Sequence, residues 1–298
     1  MWYALILTCV VMFGSGFWLQ DMYRRRRGSG LRISMESASI GALAGFIVLV
    51  LIDGFSFTLT PFTLLIAVLN ALNNMAFAFF AFRALDRINL SLFSVFTMLG
   101  GMALPFFQGI LFYGEDITIS KVVCVIFIVV ALLCTIEKGE KKRGTIYYVG
   151  IFVLNGMAGV LAKIYTESEL PKASAAGFSA WSALSTALLS GAVWLTLSLM
   201  QKRQSSPDLE TPRTPRKVLF QAVGIGALMG SINKVANFLL VLSLSHVDAS
   251  VQYPMVTGGT MIVSTLFSCF GDKKPQKREI ISVCFAFAGM LALFLIPN

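Results

Sequence analysis

Ten apolar stretches, each about long enough to cross a lipid bilayer, fill this chain, and almost every charge falls in the gaps between them. Hydrocarbon offers no water to a bare backbone N–H or C=O, so segments of this kind are confined to helices. The stretches are read at Trp2–Gln20, Ser34–Ile52, Thr60–Phe82, Leu90–Tyr113, Thr118–Ile136, Thr145–Tyr165, Ala173–Met200, Val218–Leu242, Ala249–Phe270 and Glu279–Ile296. A content of 56% hydrophobic and only 13% charged residues excludes an ordinary soluble domain. The fold expected is an all-α membrane protein of ten transmembrane helices. The first stretch is too long, and lacks preceding basic residues, to read as a cleaved signal peptide. The longest connection, Gln201 to Lys217, is rich in Pro, Ser and Thr and reads as a flexible loop.

Chemistry-bearing motifs are absent from the sequence. All five cysteines (Cys9, Cys124, Cys134, Cys269, Cys284) sit in apolar stretches, where cysteine is a small hydrophobe. There is no CxxC, HExxH or phosphate-binding loop, and the sole histidine, His246, has no second His or Cys near it to build a metal site. The expectation is a protein that is not an enzyme and carries no metal or cofactor.

The net charge of +9 could suggest nucleic acid, but the basic residues follow loop parity. Twenty of the 24 Lys and Arg lie in odd-numbered gaps, from Arg24–Arg27 through Lys273–Arg278, whereas the even gaps hold only Lys121, Lys163 and Lys172. Membrane insertion explains that pattern, with the odd gaps cytoplasmic and both termini outside. The partner implied is the bilayer of a cell (cytoplasmic or inner) membrane, and no nucleic acid. None of the 15 acidic residues lies mid-membrane. The remaining cation, Lys234, lies deep in the eighth stretch, where a lone ammonium is costly unless it faces a partner or an aqueous cavity.

Sliding the chain along itself by 159 residues pairs Asn74 with Asn233, Phe79 with Phe238, Leu85 with Leu244, Ser91 with Ser250, Gly100 with Gly259 and Met102 with Met261. The reading is a duplicated five-helix unit, residues 1–143 and 144–298, whose second copy is inverted because five is odd. Inverted repeats are a transporter architecture with the substrate near the midplane.

The chain resembles the drug/metabolite transporter superfamily, in particular its ten-helix EamA-like branch. The resemblance rests on Phe82-Arg83-Ala84-Leu85, Asn89-Leu90-Ser91 and Leu111-Phe112-Tyr113-Gly114-Glu115, with Leu242-Ser243-Leu244-Ser245, Asp248-Ala249-Ser250 and Phe270-Gly271-Asp272 repeating the theme. It implies alternating access by rocking of two bundles around a central cavity. It also implies cavity positions for Trp18, Gln20, Asn155 and Lys163. Family members usually keep both termini in the cytoplasm, opposite to the orientation that the basic residues give here.

Helical spacing supplies the other candidates. Asn233, Lys234 and Asn237 share a face in the eighth stretch, extended by Gly230, and Asn70, Asn73 and Asn74 share one in the third. Each asparagine is equally readable as packing glue between helices. Gln252 and Tyr253 stand beside Pro254, whose missing N–H could open backbone to a cavity. The function expected is a secondary active transporter that moves a small polar or anionic metabolite by alternating access. Lys234 would either fix an anion or carry a coupling proton. The alternatives are an organic-cation carrier with an aromatic cage of Trp18, Tyr253 and Trp181, a flippase for a lipid-linked substrate, or a membrane scaffold, as monomer or homodimer.

Overall fold

The computed structural model describes residues 2–53, 58–88, 90–114, 118–135, 145–204, 216–244, 246–247, 249–269 and 275–296. The polar loop of residues 205–215, the basic cluster of residues 138–143, Asn89, Glu115, Asp248 and the Phe270-Gly271-Asp272 motif therefore lie outside the described residues.

All regular structure among the described residues is helical: α1 (Trp2–Arg27), α2 (Leu31–Asp53), α3 (Pro61–Leu85), α4 (Leu90–Phe112), α5 (Ile119–Thr135), α6 (Thr145–Glu167), α7 (Ala175–Gln204), α8 (Arg216–Leu244), α9 (Ala249–Cys269) and α10 (Lys277–Leu295). Seven of them, α1 to α4 and α6 to α8, are long and apolar enough to cross a membrane, while α9 and α10 contain shorter apolar runs and α5 has 17 residues. Their outward faces are greasy. Phe220, Phe112 and Leu51 are 82%, 79% and 73% exposed, which hydrocarbon permits and water would penalise.

Local chemistry sets the helix ends. Thr60 caps α3 by accepting the Thr63 N–H at 3.2 Å, and Pro61 occupies the first turn, where its missing N–H has no acceptor to lose. Gly28 ends α1 with φ of +94°, and its N–H donates to the Arg24 carbonyl at 2.7 Å. The helix thus runs past Gln20, where the apolar pattern stops. Arg24 to Arg27 extend it, and their positive charge suits its C-terminal end.

The packing brings α2 against α7 and α8, α1 against α8 and α9, α4 against α6 and α9, α3 against α6 and α7, and α5 against α10. α1 with α8 and α3 with α6 run antiparallel, and so do α5 with α10 and α2 with α7. On α5 and α10, Ser282 Oγ donates to the Ala131 carbonyl at 2.8 Å, while Gly289 lies over the Cys124 carbonyl. On α2 and α7, Ser39 Oγ donates to the Ala187 carbonyl at 3.2 Å, while Leu49 packs in a cluster with Ala180 and Ala183.

One end of the bundle is ionic. Arg24 bridges Asp21 at 2.7 Å and Asp86, just beyond α3, at 2.9 Å, and Arg26 donates to Gln221 on α8 at 3.0 Å. The ends of α1 and α3 and the start of α8 therefore share this end. At the other end Thr63 binds the Tyr165 hydroxyl at 3.2 Å and accepts from the Ala173 N–H at 3.0 Å, joining the start of α3 to the α6–α7 connection.

Candidate functional site

A cavity of about 270 Å³ lies among α1, α2, α3, α4, α6, α7, α8 and α9. Glycines let its walls close. α2 and α8 cross where Gly41 meets Gly230, and any Cβ on Gly230 would collide with the Gly41 backbone. Three polar side chains occupy room left by glycines on the facing helices: Asn233 opposite Gly16, Lys234 opposite Gly45 and Asn155 opposite Gly101.

The structure brings together most of the residues singled out by sequence. From α3 come Asn70, Asn73 and Asn74; from α8, Asn233, Lys234 and Asn237; Gln20, Asn155 and Tyr253 complete the set. The hydrogen bonds divide the asparagines. Asn73 donates to the Leu154 carbonyl at 2.9 Å, Asn155 to the Thr97 carbonyl at 2.7 Å and Asn237 to the Asn233 carbonyl at 2.8 Å, each spending its amide on backbone. Asn70 instead donates to Ser182 Oγ at 2.7 Å and keeps a buried Oδ1 with no partner. Asn233 Oδ1, Ser37 Oγ and the Tyr253 hydroxyl are likewise buried and unpartnered. Buried polar atoms ordinarily find partners, and these four have none within the protein.

Lys234 is half-buried, and no carboxylate lines the cavity among the described residues. The buried carboxylates lie elsewhere: Asp21 with Arg24 and Arg25, and Glu36 with Arg27 and the Tyr23 hydroxyl.

Two expected site residues lie outside this cavity. Trp18 stacks on Phe267 with ring centroids 5.3 Å apart, and Gln252 is fully buried with its amide on the Leu240 carbonyl at 2.7 Å. The reason is rotational, since each helical residue turns about 100° from its neighbour. Phe17 and Tyr253 face the cavity, and the residue beside each faces a packed helix. Lys163 is also elsewhere, its ammonium 5.1 Å from the centre of the Tyr113 ring. Trp181 donates to the Thr58 carbonyl at 3.2 Å, so the aromatic cage of Trp18, Tyr253 and Trp181 is not assembled. Pro105 sits within continuous helix with its ring against Gly159, and Gly100 and Gly259 pack against Phe152 and Val10, as close-packing glycines would.

The polar wall of α7 is new. Ser179, Ser182 and Thr186 line the cavity at i, i+3 and i+7, a spacing visible in the sequence but carried by residues that commonly serve as helix packing. Phe13, Phe17, Met98 and Val256, from α1, α4 and α9, add apolar surface to the lining.

No family model and no curated protein matches the sequence. Several solved structures are similar; among them is a crystal structure whose likeness covers 98% of this chain and 96% of its own, with a TM-score of 0.62 and 16% sequence identity. That likeness shows a shared fold.

Proposed function

We propose that this protein is a secondary active transporter that moves a small polar or anionic metabolite across the membrane by alternating access. Two five-helix units, residues 1–143 and 144–298, would form an inverted pair of the EamA-like kind. The packing supports the repeat residue by residue. Gly100 abuts Phe152 and Gly259 abuts Val10, while Gly156 abuts Leu104 and Gly14 abuts Val263. The second contact of each pair follows from the first if α4 maps to α9 by 159 positions and α1 to α6 by 142. Thr257, whose hydroxyl donates to the Met98 carbonyl at 3.4 Å, stands 159 positions from Met98 itself, as two residues meeting near a two-fold axis would. The antiparallel pairing of α2 with α7 and of α5 with α10 supports inversion, because repeats of equal orientation would run those helices parallel.

The observation that carries the function is Lys234, which lines a cavity shared by both units with no ion pair or hydrogen bond among the described residues. A scaffold has no use for a polar midplane cavity. Uptake into proteoliposomes by wild type and Lys234→Met tests the site: loss of affinity or rate is expected, and unchanged values for both would remove Lys234 from it. The basic residues favour cytoplasmic odd gaps and external termini.

A further inference from the structure

Taking the cavity as the substrate site, we propose that its ligand is a singly charged organic anion with an apolar body, a class exemplified by an aryl-substituted carboxylic acid. The charge inventory gives the sign and the number. Lys234 is the one charged side chain lining the cavity among the described residues. Nearby cations are committed: Arg24 and Arg25 to Asp21, and Arg27 to Glu36. One ammonium with no second cation to help it favours one carboxylate over two, or over a phosphate dianion. An added ammonium on the ligand would meet Lys234 and find no carboxylate to offset it.

The apolar body follows from the part of the lining contributed by Phe13, Phe17 and Met98, which offer nothing to bond and gain only by covering apolar surface. Phe17 is held by an edge-on contact with Phe93 at 5.3 Å, so that part is set before a ligand arrives.

The test is equilibrium binding to the purified full-length protein, with uptake into proteoliposomes measured alongside. The probes are 3-phenyllactate, lactate, phenylsuccinate, phenylalanine and phenethylamine. 3-Phenyllactate is expected to bind about tenfold or more tighter than each of the others, since each lacks one required feature or adds a mismatched charge. Lys234→Gln, with an unchanged melting temperature, is expected to remove most of that preference. Lactate binding as tightly as 3-phenyllactate would overturn the apolar body, and phenethylamine or phenylalanine binding more tightly would overturn the charge. 3-Phenyllactate that binds but is not taken up would leave the ligand class standing and sink the transporter reading. Uptake of phenethylamine without 3-phenyllactate binding would do the reverse, and no binding by any probe would overturn the class.

Discussion

Gly45 on α2 faces the stem of Lys234 on α8 so closely that a Cβ at position 45 would lie 2.5 Å from Lys234 Cγ. The glycine thus decides where the ammonium sits. A methyl group cannot fit there unless the lysine stem or a helix moves. Overpacking of this kind typically costs about 1–3 kcal/mol. Gly45→Ala is expected to weaken substrate uptake by about tenfold, through a raised KM, with only a modest fall in melting temperature. Equal KM in variant and wild type would show that the stem position does not matter.

The asparagines separate into two groups by what their amides hold. Asn73 and Asn155 bind backbone carbonyls of α6 and α4, so Asn73→Ala and Asn155→Ala are expected to lower stability by about 1 kcal/mol each. Their order of preference among substrates should stay the same. Asn70 lines the cavity with its amide on the Ser182 hydroxyl and not on backbone, and Asn70→Ala is expected to change that order. Thermal melting together with competition by unlabelled substrates checks both groups. A changed order in Asn155→Ala would move that residue from scaffold to ligand contact.

How much of this was legible in sequence depends on what each residue's signal encodes. The all-helical, membrane-like character follows from hydropathy, because the bilayer forces long apolar runs, and seven of the helices are long and apolar enough to cross one. The true end of α1 does not, since Arg24 to Arg27 look like a gap to any hydropathy reading yet stay helical through Asp21 and Glu36. The Asn70 and Asn233 faces were visible by spacing, and Lys234 by its isolation. Trp18 and Gln252 were misplaced because identity reveals polarity and size but not rotation: a turn of one residue exchanges cavity for packed helix. Ser179, Ser182 and Thr186 were missed because serine and threonine carry the same signature whether they join helices or line a cavity.

Arg27 and Glu36 form a buried pair between α1 and α2, with Arg27 Nη2 at 2.8 Å from both carboxylate oxygens and Nε at 3.1 Å from Oε1. Tyr23 adds its hydroxyl to Glu36 Oε1 at 3.0 Å. Removing one partner strands the other charge, a cost of about 3–5 kcal/mol in buried settings. Glu36→Ala is therefore expected to lower the melting temperature sharply, and the double change Arg27→Met with Glu36→Leu to restore most of the loss. A double variant as unstable as Glu36→Ala would show that the polar contacts matter beyond the uncompensated charge.

Orientation can be read chemically, because the ends of α1 and α3 and the start of α8 lie together. Arg24 bonds to Asp86, and Arg26 to Gln221, so Arg24–Arg27, the end of α3 and the start of α8 face the same side. Glu169 is exposed at the opposite end, in the α6–α7 connection. With the five native cysteines replaced, Arg26→Cys and Glu169→Cys each carry one exposed thiol. In intact cells a membrane-impermeant maleimide is expected to label Glu169→Cys, and Arg26→Cys only after permeabilisation. That outcome is expected because a Lys and Arg excess in short loops draws a side to the cytoplasm during insertion. The reverse labelling pattern would place both termini inside and show that something outweighs that excess.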